Sequence, residues 1–256
     1  MEVKVLGSSG AELPGYNSSA FLLDGKILLD AGTIGTSLRE RKQWEIRDIL
    51  ITHAHLDHIK AIPFLADNIV IKQKRHSVTL FGAKDTLKTL HSHLLNDKLW
   101  PDFTRISASI EPVLKMKAVG TGKPFKVHGY TVTAFPVSHT VPAVGYIIRD
   151  GFGRTLVYTG DTGPTGKIWK WQHHIHALII EVSFPDSMES LAVMTGHLTP
   201  GLLGLEIDKM RHAPDKVLIT HIKPQYMARI RKELETLKKA RRLNIQLVKD
   251  GRTYEV

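Results

Sequence analysis

The sequence predicts one α/β domain spanning residues 1–256, and three observations carry that expectation. The first is length: 256 residues suit one large domain with a substantial core, and no low-complexity spacer, Pro/Gly/Ser-rich linker or internal repeat divides them. The second is alternation, because short strand-like apolar runs exchange along the chain with stretches that are apolar at helical spacing. The third is that several of the strand-like runs end in a histidine or an aspartate, where a rigid sheet presents the loops that carry chemistry.

Val3–Gly7 reads as a strand running into Ser8-Ser9-Gly10, a turn of small residues that permits close backbone approach. Ser19–Leu23 and Lys26–Asp30 flank the hairpin signal Asp24-Gly25, and the second strand leaves Asp30 at its end. Leu38–Trp44 is a short basic helix, and Arg47–Thr52 an apolar strand that delivers the cluster His53-Ala54-His55-Leu56-Asp57-His58. Ile59, Ile62, Phe64 and Leu65 suggest the start of a buried helix, with Pro63 in its first turn or at a kink. Ser77–Phe81 is a strand, and Leu87, Leu90, Leu94 and Leu95 mark Ala83–Leu95 as an amphipathic helix ended by Asn96-Asp97 and Pro101. His91 and His93 on that helix point to different faces and read as surface or packing residues.

Val113–Val119 and Lys126–Val137 alternate as strands do, the latter broken by a turn at Gly129-Tyr130 and followed by Ser138-His139. Val144–Arg149 and Arg154–Tyr158 form another hairpin, which runs out into Thr159-Gly160-Asp161. Ile168–Gln172 reads as helical and precedes His173-His174-Ile175-His176, whose cationic tendency suits a helix C-terminus. Ala177–Val182 is a continuous apolar strand, followed by helices around Met188–Met194 and Leu202–Met210. Lys216–Thr220 is a further buried strand ending in His221; Met227, Ile230, Leu234 and Leu237 give a helical stripe. Asn244–Val248 closes the chain as a strand with which Thr253–Val256 is expected to pair.

Cysteine is absent, so disulfides and thiolate metal sites are excluded and any transition metal must be held by histidine and carboxylate. No run approaches the ~18 consecutive apolar residues of a membrane span, and a cytoplasmic protein is expected. The formal charge of +10 would suit an anionic partner, but seven Lys/Arg against two Glu between Arg229 and Arg242 place half of the excess on one helix, which reads as a solvated face. Five stretches therefore present ligand-type residues at strand ends: Asp30, the 53–58 cluster, His139, Asp161 and His221. A His/carboxylate set of this size can hold two divalent ions of the zinc, manganese or iron type.

The cluster His53, His55, Asp57, His58, followed in order by His139, Asp161 and His221, resembles the metallo-β-lactamase superfamily over nearly the whole chain. That resemblance implies an αβ/βα sandwich of two mixed β-sheets flanked by helices, with two metal ions, Zn2+ first and Mn2+ or Fe2+ as alternatives. It assigns His53, His55 and His139 to one metal and Asp57, His58 and His221 to the other. Asp161 would bridge the two, and Asp30 would orient a ligand histidine.

Within the superfamily, five segments in order are similar to class II 3′,5′-cyclic-nucleotide phosphodiesterases: His53–Ile59, Asn96–Phe103, Glu181–Pro185, Gly196–Pro200 and Thr220–Pro224. One departure is Lys60-Ala61, where that family continues with a residue and then Gly or Ser. The resemblance implies hydrolysis of cyclic AMP or cyclic GMP to the nucleoside 5′-monophosphate by a metal-bridging hydroxide. Asp57 would orient or deprotonate the nucleophile, and His197 would contact phosphate or protonate the departing oxygen. The rival readings are a ribonuclease Z-type tRNA 3′-processing endonuclease, the only one with a nucleic-acid partner, and another small-molecule metallo-hydrolase of the superfamily. A non-catalytic metal-dependent scaffold fits least, since no expected ligand is missing. No membrane partner is expected, and a homodimer is left open.

Overall fold

The computed structural model describes residues 1–72, 76–107, 111–166, 169 and 174–256. In chain order the first half carries β1 (Glu2–Gly7), β2 (Ala20–Leu23), β3 (Ile27–Leu29), α1 (Glu40–Gln43), β4 (Asp48–Leu50), α2 (Leu56–Ile59), α3 (Ile62–Ile71), β5 (Val78–Gly82), α4 (Lys84–His93) and β6 (Leu114–Ala118). The second half carries β7 (Pro124–Val127), β8 (Tyr130–Pro136), β9 (Val144–Arg149), β10 (Thr155–Tyr158), β11 (Ala177–Glu181), α5 (Glu189–Thr195), α6 (Pro200–Ile207), β12 (Lys216–Thr220), α7 (Met227–Arg241), β13 (Ile245–Leu247) and β14 (Thr253–Glu255). Most of the helix expected over Ile168–Gln172, and His173 with it, falls outside the described residues.

The strands form two seven-stranded sheets, ordered β14-β1-β2-β3-β4-β5-β6 and β13-β12-β11-β10-β9-β8-β7. Each sheet begins as an antiparallel meander and continues in parallel pairs from β3 to β6 and from β10 to β13. Within a sheet, β1, β3 and β4 therefore share one direction, as do β8, β10, β11 and β12. This brings the C-terminal ends of the strands that precede Asp30, His53, His139, Asp161 and His221 to common sheet edges.

Three apolar layers account for the stacking. Phe21, Leu29 and Leu50 of the first sheet meet Tyr146, Ile148, Leu156 and Ile179 of the second in the layer between the sheets. The alternate residues of the same strands, such as Leu28, Ile49 and Leu80, pack outward with Ile62, Leu65, Ile69, Leu87 and Leu90 of α3 and α4. On the far side, Leu178, Ile180, Val217 and Ile219 pack with Leu203, Ile230, Leu234 and Leu237 of α6 and α7. The result is the expected αβ/βα sandwich.

Two local expectations differ from the structure. Phe64 is 56% exposed rather than buried, because Pro63, Leu65 and Ala66 occupy the inward face of the first turns of α3. The C-terminal residues do not pair with β13; β14 runs antiparallel to β1 in the other sheet, with Glu2 opposite Glu255 and Lys4 opposite Thr253. That crossing leaves Val256 to accept from the N-terminal ammonium at 3.2 Å. No helix of the described residues is long and apolar enough to cross a membrane.

Sidedness is testable. Leu50→Ala, at a fully buried position between the sheets, should lower the free energy of unfolding in urea by about 2–5 kcal/mol. Leu205→Ala on the exposed face of α6 should stay within about 0.5 kcal/mol of the native protein.

Candidate metal centre

The 53–58 cluster is shaped by a change of backbone geometry. Past β4 the chain stays extended through His55 (φ −67°, ψ 146°) and only then enters the single turn of α2. The extended stretch puts His53 and His55 on one side, and the helical turn returns Asp57 and His58 toward them. Gly32 lies so close beneath that any Cβ there would overlap the Asp57 carbonyl oxygen. Ala31 N–H donates to the His58 carbonyl at 2.7 Å, which fixes the turn against the end of β3.

Asp30 is fully buried in a left-handed conformation (φ 55°). Its carboxylate accepts from Thr52 N–H (2.7 Å), Thr52 Oγ1 (2.8 Å), Tyr158 Oη (2.7 Å) and His58 Nδ1 (2.7 Å). Four donors compensate the desolvation of this charge. With Nδ1 turned to Asp30, His58 Nε2 is the nitrogen aimed into the centre. His139 Nδ1 likewise faces the Gly196 carbonyl at 2.9 Å, and His221 Nδ1 faces Ser183 Oγ at 2.9 Å.

Asp161 Oδ2 is the point on which the imidazoles converge, at 3.4 Å from the Nε2 atoms of His58 and His221, 3.7 Å from His53 and 4.0 Å from His139. His55 Nδ1 lies 3.1 Å from His139 Nε2, and Asp57 Oδ2 lies 3.2 Å from His221 Nε2. The ligand atoms of His53, His55, His139 and Asp161 all fall within 4.8 Å of one another, as do those of Asp57, His58 and His221. The buried Nε2 atoms of His53 and His58 have no hydrogen-bond partner. Buried nitrogens left bare, each on a ring oriented through its other nitrogen, are what a ligand set needs, so these side chains fit divalent cations.

Electrostatics agrees with that fit at His53 and Asp161, whereas at His58 burial opposes the charge but the Asp161 and Asp30 carboxylates raise the pKa well above the ordinary imidazole value, so a cation there would have to displace a proton. Burial, reinforced by the neighbouring His58, holds His53 well below the ordinary imidazole pKa and thus neutral, as a ligand must be. Burial works against ionisation of Asp161, yet the His221 and His58 imidazoles hold its carboxyl well below the usual carboxylate range.

His197 sits beside this set, its ring stacked on His221 (centroids 5.4 Å apart) and edge-on to His139 (5.2 Å). Its Nδ1 is 2.6 Å from Glu181 Oε1 and 3.3 Å from Ser183 Oγ. Burial disfavours charge on this imidazole, but the Glu181 carboxylate outweighs it and raises the pKa. Glu181 is itself fully buried and also accepts from Thr162 N–H (3.1 Å) and Ser183 Oγ (2.8 Å). Neither Glu181, Ser183 nor Tyr158 is singled out as a site residue by the sequence; the available signals are an acid closing the apolar strand β11 and the place of Glu181 and Ser183 in the segment Glu181–Pro185.

All nine candidate residues, Asp30, His53, His55, Asp57, His58, His139, Asp161, His197 and His221, thus meet at one edge. The remaining histidine groups lie elsewhere. His91 faces Asp102 at 3.2 Å. His174 pairs with Asp215 at 2.9 Å and lies near His176 at the opposite end of β11 and β12, about 16 Å away at ~3.3 Å per residue. His176 Nδ1 accepts from Thr155 N–H at 3.1 Å, which puts the proton of the neutral ring on Nε2 and makes the group a poorer ligand set than the centre.

Residues 26–222 match the family model of the Beta-lactamase superfamily domain. A relative in Yersinia pestis named probable 3′,5′-cyclic-nucleotide phosphodiesterase is 25% identical over 71% of this chain, which spans only 58% of that relative's length. Ribonuclease Z of Methanococcus maripaludis strain C7 is 27% identical over 88% of both chains. Among solved structures, unliganded yeast PDE1 superposes with a TM-score of 0.85 at 21% identity, covering 100% of this chain and 99% of that one, which establishes likeness of fold. With the family model covering most of its length and the ligand-type residues gathered at one sheet edge, the chain belongs to the metallo-β-lactamase superfamily of hydrolases.

Proposed function

We propose that the protein is a dinuclear metal-dependent phosphodiesterase that hydrolyses 3′,5′-cyclic nucleotides, cyclic AMP or cyclic GMP, to nucleoside 5′-monophosphates. One observation carries the reading: three of the segments similar to class II cyclic-nucleotide phosphodiesterases form a single wall of the centre. Ser183 N–H donates to the Leu198 carbonyl (3.0 Å), Val182 N–H to the Thr220 carbonyl (3.0 Å), and Ser183 Oγ lies 2.9 Å from His221 Nδ1. That wall carries Glu181, His197 and His221 together. The likeness to relatives named as cyclic-nucleotide phosphodiesterases supports the same choice.

In this reading His53, His55 and His139 hold one cation, Asp57, His58 and His221 the other, and Asp161 lies between both sets. Zn2+ is the first choice, Mn2+ or Fe2+ the alternatives, and the cytoplasm the place of action. When bound, divalent cations here supply positive charge against a reacting phosphate and lower the pKa of water. Asp57, whose side chain is 36% exposed on the open side of the centre, accepts a hydrogen bond from the attacking water and orients it. His197, with Nδ1 held by Glu181, presents its other nitrogen to the departing 3′-oxygen and gives it a proton.

The second reading is a ribonuclease Z-type endonuclease, favoured by the coverage of the Methanococcus relative and by the charge of +10. The two separate in one experiment. The chain loaded with zinc or manganese is offered cyclic AMP, cyclic GMP and a precursor tRNA; release of 5′-monophosphate from a cyclic nucleotide is expected. Turnover of the tRNA alone, or of none of the three, overturns the proposal. Chelation should abolish the activity and restored metal should return it, while His55→Ala should be inactive with an unchanged circular dichroism spectrum.

Three further outcomes test individual roles. His197→Ala should lower kcat by about 10²–10⁴-fold, the range for loss of a general acid. Glu181→Gln, which keeps the shape but removes the charge facing Nδ1, should cost roughly 10–100-fold. Asp30→Asn should weaken metal affinity by a comparable ~10–100-fold in competition with a chromogenic chelator, because it perturbs the orientation of His58.

A further inference from the structure

A second cavity lies back to back with the metal centre. It encloses about 380 Å³, and the segment between β1 and β2 forms one of its walls. That segment has two faces. The Ser8 carbonyl accepts from His221 N–H at 2.7 Å on the side of the metal centre, while Ser8 Oγ donates to Asp250 Oδ1 at 2.7 Å, beside the cavity. Its chemistry divides into three parts. Ile219, Ile222 and Met227 make an apolar floor, beside which Tyr16 offers a half-exposed aromatic ring. Arg231 and Lys249 stand at its exposed rim, and neither side chain meets an acceptor or ion-pair partner among the described residues. Asp250 lies between, one oxygen taken by Ser8 Oγ and the other by Asn17 N–H at 3.1 Å, with lone pairs left over for hydroxyl donors.

An apolar floor with an aromatic ring suits a flat heterocyclic base, two unpaired cations suit a phosphate, and a carboxylate repels phosphate but accepts from sugar hydroxyls. The volume falls in the range of small-ligand sites, ~300–1,000 Å³. We propose that this cavity is a binding site for a nucleoside monophosphate, separate from the metal centre. The base lies on Tyr16 and the apolar floor, the ribose hydroxyls face Asp250, and the phosphate meets Arg231 and Lys249. The ligand bears on Ser8–Gly10, whose far side holds His221: Gly10 N–H donates to the Ile222 carbonyl at 3.1 Å, and a Cβ on Gly10 would overlap the His221 carbonyl oxygen. Binding here requires no turnover, so failure of this site and failure of the proposed reaction are separate results.

The test is calorimetric titration of the metal-loaded chain with AMP, adenosine and inorganic phosphate. It uses the His55→Ala background, which disables the metal centre, with and without the double reversal Arg231→Glu/Lys249→Glu. The expected result is one equivalent of AMP bound by His55→Ala, with at least tenfold weaker affinity after the double reversal and for adenosine or phosphate alone. Both rim residues are exposed, so equal unfolding midpoints should show that the fold is intact. Met227→Trp, which fills the cavity from its floor, should weaken AMP equally. Absence of AMP binding in His55→Ala, unchanged affinity after the reversal, or phosphate binding as tightly as AMP overturns the proposal.

Discussion

The carboxylate of Asp30 joins the two sheets at the edge where the histidines collect, accepting from Thr52 and His58 of the first sheet's loops and from Tyr158 at the end of β10 in the second. A buried charge with fewer donors would be costly, and its removal would leave four oriented donors without an acceptor. Because His58 Nδ1 is one of those donors, the same bond that docks the sheets sets the direction of a candidate metal ligand. Stability and chemistry are therefore coupled through one side chain, and a change at Asp30 or Tyr158 is felt in both.

The reach of the sequence follows from how local each signal is. His53, His55, Asp57 and His58 are legible because four ligand-type residues in six positions need only one turn of geometry to converge. Asp30, His139, Asp161 and His221 are legible at lower resolution: each follows an apolar run, but nothing local says that the runs share a direction. Glu181 is marked only as part of the segment Glu181–Pro185, because an acid at the end of a buried strand has no spacing to assign it a role, and that role appears only when α5 returns His197 to it. Phe64 misleads for the opposite reason, since an apolar residue beside buried neighbours carries no sign of which face it occupies. The pairing of β14 with β1 was not readable because the two strands lie at opposite ends of the chain, and sheet neighbours that distant leave no mark in a local pattern.

Backbone conformation shows the same division. Asp30 (φ 55°) and His221 (φ 59°) are left-handed although neither is glycine, and Gly160 (φ 60°) and Gly196 (φ 70°) adjoin Asp161 and His197. A strand that simply continued would carry its next side chain along the sheet; a left-handed residue turns it aside. Non-glycine residues there cost free energy, which the surrounding hydrogen bonds must offset. For His221 those are its N–H to the Ser8 carbonyl and its Nδ1 to Ser183. The strain thus sits where side-chain direction matters more than local comfort.

The two sheets contribute to the centre unequally, and this has a consequence for folding. The first sheet supplies four ligand-type side chains from one short loop, which are neighbours before any sheet has formed. The second supplies His139, Asp161 and His221 from three strands brought together only by the finished β8-β9-β10-β11-β12 order. A cation held by both sets therefore binds the docked sandwich better than either half, and whatever binds the native state alone stabilises it by mass action. The buried Nε2 atoms of His53 and His58 sharpen the argument. Both point toward Asp161 Oδ2, at 3.7 and 3.4 Å, so a cation seated between them would tie the loop that follows β4 to the carboxylate that follows β10.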